Sequence, residues 1–222
     1  HTAIVARSLD IPAVVGARNA SQLVRQDDWV IIDGDAGILI VDPTPIILAE
    51  YGFKQRQAEL EREQLTRLRH TPAVTLDGQR VELLANIEMP DDAPAALGVG
   101  AVGVGLFRSE FLFMGREGAL PDEEEQFEAY LRAVSGMKGL PVTIRTVDEA
   151  HLNPALGLRA IRWSLADPSM FLTQLRAVLR AAAHGQVHLL IPMLAHEREI
   201  RQTLALVDQA RLQLDNRGMA YG

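Results

Sequence analysis

The sequence predicts an α/β protein whose larger part is built on a parallel β-sheet. Four strand-like apolar runs occur at residues 81–87, 101–107, 142–148 and 187–193, and a helical pattern follows each of them. Strands that alternate with helices, without hairpins between them, form βαβ units. Four parallel strands make either a small open sheet or half of an eight-stranded barrel, and a half barrel leaves strand edges unpaired. We therefore expect the chain to be a fragment of a longer polypeptide.

The composition sets limits on the class of protein. A chain of 222 residues permits one large domain or two small ones, and 48% apolar with 23% charged residues is typical of globular proteins. The formal charge of -7 disfavours nucleic acid and anionic membranes as partners. Cysteine is absent, which excludes disulfides and thiolate metal sites. The sequence shows neither a membrane-spanning apolar run nor a signal peptide, and we expect a cytoplasmic protein.

The first third of the chain has a different pattern. Residues 1–10 have helical spacing, and the runs 29–33 and 38–42 flank a Gly/Asp turn, which predicts a β-hairpin. Residues 53–70 carry many charges and few apolar side chains, which is typical of a solvated connector helix. We place a domain boundary in this helix.

In the remaining part of the chain, three helices can be predicted from the residues at their ends. Residues 121–127 open a helix with acidic side chains in its first turn, where they complement the helix dipole. A second helix is predicted from about Ser169 and ends before Gly185. The last helix covers about 196–216, and Gly218 stands where a C-capping glycine belongs.

Two arginines end apolar strands. Arg108 follows the second run and is surrounded by Phe, Leu and Met, and Arg145 lies near the carboxyl end of the third run. Ligands of parallel α/β sheets bind at that end, and the planar fork of arginine suits a phosphate. The two guanidinium groups therefore either converge on one anion or form structural ion pairs with Glu110 and Asp148.

Five segments, in this order, closely resemble enzyme I of the sugar phosphotransferase system. These phosphoenolpyruvate–protein phosphotransferases include fused multiphosphoryl-transfer forms. The segments are HTAIVARSLDIPAVVG (1–16), VGLFRSEFLFMGR (104–116), LPDEEEQFEAY (120–130), TIRTVD (143–148) and NPALGLRAIR (153–162). The resemblance extends over essentially the whole chain and is most specific in SLDIPAVVG and GLFRSEFLFM taken together.

The resemblance implies three parts. Residues 1–48 would be the C-terminal part of a swivelling phosphohistidine domain, and residues 49–72 a helical linker. Residues 73–222 would form roughly the first half of a TIM-like (β/α)8 barrel that binds phosphoenolpyruvate (PEP).

The resemblance also assigns roles to individual residues. His1 matches the histidine that accepts the phosphoryl group, and imidazole is a competent nucleophile near neutral pH. Read alone, a first-residue histidine is often a tag remnant or a frayed terminus. Arg7 would support the phosphohistidine if its side chain folds back. Arg108 and Arg145 match arginines that hold the phosphate of PEP, and Arg159, in a stretch expected to be helical, suits either that pocket or a structural salt bridge.

The function implied is phosphoryl transfer from PEP to His1 and on to a histidine-containing phosphocarrier protein, for sugar uptake and phosphorylation. The resemblance further implies a homodimer at full length, no nucleic-acid partner, no membrane insertion, and Mg²⁺ whose ligands lie beyond residue 222. Asp148 runs directly into EAHLNPALG, so the Gly- and Lys-containing loop of the family is either missing or not recorded in this sequence. Because the second half of the barrel would also lie beyond this chain, we expect the fragment alone to be inactive. The alternatives are an enzyme resembling pyruvate phosphate dikinase and a non-catalytic regulatory or binding relative.

Overall fold

The structure, a computed structural model, describes residue 6 and residues 11–114, 120–148 and 158–222. The chain divides into two compact units, His1–Thr71 and Pro72–Gly222. Apart from Ala6, the helical pattern predicted over residues 1–10 lies outside the described residues.

The first unit contains the predicted hairpin. Helix α1 (Ala20–Leu23) precedes strands β1 (Val30–Asp33) and β2 (Ile38–Val41), which pair antiparallel. The Asp33 carboxylate accepts a hydrogen bond of 2.9 Å from the backbone N–H of Ala36, which closes the turn. The hairpin prediction is confirmed.

Helix α2 (Pro45–Arg67) is the predicted solvated helix, and no residue in it is fully buried. It begins at Pro45 rather than at Phe53. The start is fixed by Thr44, whose hydroxyl accepts from the N–H of Ile47, and by the proline at the first helical position. The charge pattern alone did not reveal this start, because the first two turns of the helix are apolar.

The second unit is built on one parallel sheet. Its strands are β3 (Ala85–Ile87), β4 (Val104–Arg108), β5 (Val142–Arg145) and β6 (Val187–Leu190), and they lie side by side in the order of the chain. All described neighbours are parallel, which confirms the α/β class with a parallel sheet. Each strand is shorter than its apolar run.

The helices of this unit follow the strands as predicted. They are α3 (Asp92–Gly98), α4 (Glu123–Gly136), α5 (Ile161–Ala166), α6 (Pro168–Ala182) and α7 (Glu197–Asn216). A short 3₁₀ turn, Ser109–Leu112, directly continues β4. None of the described helices is long and apolar enough to cross a membrane.

The start of α4 and the end of α7 show the capping interactions on which the helix predictions depended. Asp122 accepts a hydrogen bond of 2.9 Å from the N–H of Glu125, and so caps α4. Gly218 has φ +65° and donates to the carbonyl of Asp215, while the N–H of Met219 donates to Leu214, both at 3.0 Å. This pair of bonds is a Schellman motif, and the predicted C-cap is confirmed.

The core of the second unit lies between the sheet and helices α4 and α6. Phe107 and Ile144 project from the strands and are fully buried, and Phe107 meets Tyr130 edge to face with ring centroids 5.9 Å apart. A second apolar cluster joins α5, α6 and α7, with Phe171 and Leu214 completely buried. These two clusters fix the sheet against its helices and thereby position the carboxyl ends of the strands.

Candidate anion site at the ends of strands β4 and β5

The candidate site lies where the second and third strands of the sheet end. Arg108 is the last residue of β4 and Arg145 is the last residue of β5, and the two are direct partners in the parallel register. The guanidinium side chains are 32% and 22% exposed, so both are partly withdrawn from water. The structure thus brings together the two arginines that the sequence singled out.

Carboxylates hold the arginines in place. Arg145 forms an ion pair with Glu110 and lies 3.8 Å from a carboxylate oxygen of Asp148. Arg159 donates to both oxygens of Asp148, at 2.8 Å from Nε and 3.3 Å from Nη2. The hydrogen bonds and charge of Asp148 raise the pKa of Arg159, which therefore stays protonated. Asp148, only 9% exposed, is the group that links Arg159 to Arg145.

The local structure of Arg159 differs from the prediction. It lies in extended backbone just before α5 and not within a helix. Ala160, with φ +50°, separates it from the helix and turns the chain there. The expected helical setting was therefore wrong, although the expected salt bridge is present.

Sequence reasoning missed the partner of Arg108. Its Nη1 donates to the carboxylate of Glu88 at 3.3 Å, and Glu88 follows the end of β3, the neighbouring strand. The segment around Glu88 is itself fixed, since Asp92 accepts from the backbone N–H groups of Glu88 and Met89 at 3.2 and 2.8 Å. The rule that polar groups at the carboxyl ends of parallel strands converge could have found Glu88.

Several buried polar atoms at this edge have no hydrogen-bond partner among the described residues. They are Nε of Arg108, Nε of Arg145, Oε2 of Glu110 and Oγ1 of Thr146. A buried donor without an acceptor typically costs about 1–3 kcal/mol. Two free Nε–H donors beside each other are what an oxyanion would use.

The charges of the described site are balanced. Three guanidinium groups, those of Arg108, Arg145 and Arg159, face three carboxylates, those of Glu88, Glu110 and Asp148. Each carboxylate is an anionic partner for an arginine, and a phosphate offers the same kind of hydrogen-bond acceptor with a higher charge. An incoming phosphate can therefore take over hydrogen bonds without reorganising the strands.

The remaining site predictions fall elsewhere. His1 and Arg7 lie outside the described residues. Within the described ranges, no group of three or more His, Asp and Glu side chains is arranged to hold a metal ion.

Comparisons with known proteins identify the family to which both parts of the chain are similar. A family model described as the PEP-binding domain of PEP-utilising enzymes matches residues 62–222, and a model of the mobile domain of these enzymes matches residues 1–37. A phosphoenolpyruvate-protein phosphotransferase of Cupriavidus necator is 66% identical over 235 residues, which cover 100% of this chain and 40% of the relative.

More distant relatives carry the same name. The proteins of Geobacillus stearothermophilus and Staphylococcus carnosus are 44% and 42% identical over 99% and 98% of this chain. The chain spans about 40% of the length of each of these relatives. The alignment with the Cupriavidus protein, at 235 residues, is longer than the chain of 222, so that relative has residues with no counterpart here.

Proposed function

This chain belongs to the family of PEP-utilising enzymes, and on that premise we propose that the full-length protein transfers the phosphoryl group of PEP to His1. The phosphohistidine then passes this group to a histidine-containing phosphocarrier protein, in support of sugar uptake and phosphorylation. The names of the relatives, phosphoenolpyruvate-protein phosphotransferase, support the reaction.

The observation that carries the proposal is the register of Arg108 and Arg145. Two guanidinium groups on adjacent parallel strands, each with a buried and unpartnered Nε, suit the phosphate of PEP. As an imidazole nitrogen of His1 bonds to phosphorus, the bond from phosphorus to the enol oxygen breaks. The enolate that leaves then takes up a proton and becomes pyruvate. Negative charge on the phosphoryl oxygens is stabilised by the two arginines, which act more strongly in a partly desolvated site than in water.

Arg159 and Arg7 have supporting roles in this proposal. Arg159 keeps Asp148 in place and can reach the same phosphate when Asp148 yields one hydrogen bond. Arg7 would screen the phosphohistidine charge. Mg²⁺ would be held by residues beyond position 222 and would supply further charge neutralisation.

We also propose the finer architecture. The four in-order parallel strands are the arrangement of the first half of a (β/α)8 barrel, whereas a doubly wound sheet reverses its order at a switch point. Residues 1–48 would belong to the swivelling phosphohistidine domain, 49–72 to the linker and 73–222 to the half barrel. A homodimer and a cytoplasmic location at full length complete the proposal.

The decisive experiment is labelling of the full-length protein with radioactive PEP and Mg²⁺. We expect an acid-labile, base-stable label that His1→Ala abolishes and that His70→Ala, a substitution of an exposed histidine, retains. Labelling by ATP instead of PEP would indicate a dikinase-like enzyme. A wild-type protein that takes no label from either donor would indicate a non-catalytic relative and would overturn the proposal.

A further inference from the structure

A buried polar network lies directly beneath the two site arginines. It consists of four side chains that are almost completely inaccessible to water: Ser109, Gln126, Tyr130 and Gln174, which are 0%, 1%, 0% and 0% exposed. We call this set the Gln174 network. Its members come from the turn after β4 and from helices α4 and α6, and they lie next to the apolar core that these helices share with the sheet.

Gln174 is the centre of the network. Its side-chain NH₂ group donates to the hydroxyl of Ser109 at 3.1 Å and to the hydroxyl of Tyr130 at 3.0 Å. Its carbonyl oxygen accepts from the backbone N–H of Val147 at 3.1 Å. The Ser109 hydroxyl in turn donates to the backbone carbonyl of Arg145 at 2.6 Å. The Gln174 side chain on α6 therefore binds Ser109, which directly follows β4, and Val147, which lies just after β5. Through Ser109 it is also connected to Arg145, the last residue of β5.

The directions of these hydrogen bonds are mutually consistent. Tyr130 donates to the side-chain oxygen of Gln126 at 3.3 Å, and the Gln126 NH₂ group donates to the carbonyl of Pro121 at 2.9 Å. Burial raises the pKa of Tyr130 well above its ordinary value, so its hydroxyl remains a donor throughout the physiological range. Each hydroxyl of the network receives one hydrogen bond from Gln174 and donates one onward. A fully satisfied buried network favours one arrangement of its members over all others.

We propose that Gln174 is a positioning residue for the anion site, acting on Arg108 and Arg145 through the backbone. This inference rests on the proposed function, because the anion in question is the phosphate of PEP. Ser109 directly follows Arg108, and its hydroxyl donates to the carbonyl of Arg145, so this side chain adds a further link between the ends of β4 and β5 to the ladder that already pairs them. Gln174 holds the hydroxyl and, through Val147, the segment that leaves β5.

Loss of Gln174 would also lower stability, because an apolar side chain of similar size would leave the buried backbone N–H of Val147 without an acceptor. A loss of stability alone does not change a rate that is measured well below the melting temperature. Phosphoryl transfer, in contrast, depends on placement, since a displacement of roughly 1 Å can reduce a rate about a hundredfold.

The test uses the full-length protein and two readouts, PEP-dependent labelling kinetics and calorimetric binding of inorganic phosphate. We expect Gln174→Met to lower kcat/KM by roughly 10- to 100-fold at a temperature well below its melting point, and to weaken phosphate binding by about tenfold. Ser109→Ala, which removes only the hydroxyl, should act in the same direction. Should Gln174→Met not fold, Ser109→Ala makes the same comparison with wild type.

A matched control separates positioning from stability. Leu214→Val removes one buried methylene from the cluster of α6 and α7, away from the network, and should lower the melting temperature without changing kcat/KM or phosphate binding. The inference is overturned if Gln174→Met keeps both readouts within twofold of wild type, or if Leu214→Val loses as much as Gln174→Met. If the wild type takes no label from PEP, the proposed function fails, and the phosphate titration still decides the role of Gln174.

Discussion

Arg108 and Arg145 are opposite each other at the ends of two adjacent parallel strands, and each is bound to a carboxylate from a different segment. Arg108 binds Glu88 and Arg145 binds Glu110. Because the strands set the backbones and the carboxylates set the side chains, both guanidinium groups are directed before any ligand arrives. The two arginines are therefore preorganised for a bound phosphate.

Substitution of either arginine should affect catalysis more than stability. In the full-length protein, we expect Arg108→Ala and Arg145→Ala each to lower kcat/KM by roughly two orders of magnitude or more, since each removes a charge that acts on the transferring phosphoryl group. The double variant should lose less than the product of the single effects, because the two residues act on one group. Steady-state kinetics beside thermal melts measure both quantities.

Arg132→Ala is the control for this series, because Arg132 is an exposed arginine on α4. It should leave kcat/KM and the melting temperature close to wild type. Normal turnover combined with a lowered melting temperature in Arg108→Ala and Arg145→Ala would show that the ion pairs are structural only.

Glu123 should stabilise the protein in a pH-dependent way. It accepts hydrogen bonds from Arg176 at 2.6 Å, Arg180 at 3.1 Å and Arg217 at 2.9 Å, and so connects α4 to α6 and to the end of α7. Burial alone would raise the pKa of Glu123, but the hydrogen bonds and charges of Arg176 and Arg217 outweigh it and the pKa is lowered. Glu123→Gln should therefore cost about 1–3 kcal/mol of unfolding free energy at neutral pH.

The sign of the pH dependence follows from the lowered pKa. The stabilisation by Glu123 is complete above its unfolded-state pKa, about 4.3, and is lost as the pH falls through the lower folded-state value. Urea unfolding at a series of pH values should show the difference between wild type and Glu123→Gln shrinking below about pH 4. Glu128→Gln, at an exposed position of the same helix, should show little difference at any pH. A difference that stays constant down to about pH 3 would contradict the assignment.

Gly218 should be required for its backbone conformation alone. Its φ is +65°, and a Cβ placed there would meet no atom within 4 Å. Gly218→Ala should therefore lose about 1 kcal/mol through left-handed strain and not through a clash. Gly98→Ala is the matched control, because Gly98 also has free space around it but lacks a positive φ, and alanine favours its helix. Equal melting temperatures for the two variants would refute this account of the α7 terminus.

A polypeptide of residues 1–222 alone should self-associate or be only marginally stable. Strand β6 is an outer strand of the described sheet, and its Leu189 and Leu190 are each 36% exposed. Exposed apolar edge strands pair with other chains, and a lysine on the edge opposes such pairing. Light scattering should show association that increases with concentration and that Leu189→Lys reduces. A monodisperse monomer with a cooperative melt near that of the full-length protein would contradict this expectation.

The sequence could predict which segments form strands, but not the residues at which the register between neighbouring strands shifts. The runs 81–87 and 101–107 carry no local signal for an irregularity, yet the structure has a register shift between Ala85 and Asn86. Gly103 and Gly105 leave room there for Leu84, since a Cβ at either position would come within 2.9 Å of its side chain. Such a fit between two strands depends on packing across the sheet, which no local pattern contains.

The residues of the candidate site likewise divide into those that a local sequence pattern reveals and those that depend on distant partners. Arg108 and Arg145 could be found because each lies close to the carboxyl end of a strand-like run, a property of its own segment. Glu88 and Gln174 could not be assigned from their own segments, because their partners lie 20 and 65 residues away along the chain. The one available signal for Gln174 was an uncharged amide next to large apolar side chains in the stretch 171–179, FLTQLRAVL.

The in-order sheet also bears on how the protein is made. Every described strand of the second unit pairs with the strand next to it in the sequence, so no sheet contact waits for a distant segment to be synthesised. Domains generally fold during synthesis from the N-terminal side. Each new βα unit can therefore add to a surface that has already emerged from the ribosome. The sheet can grow in the direction of translation, with β6 exposed as its growing edge.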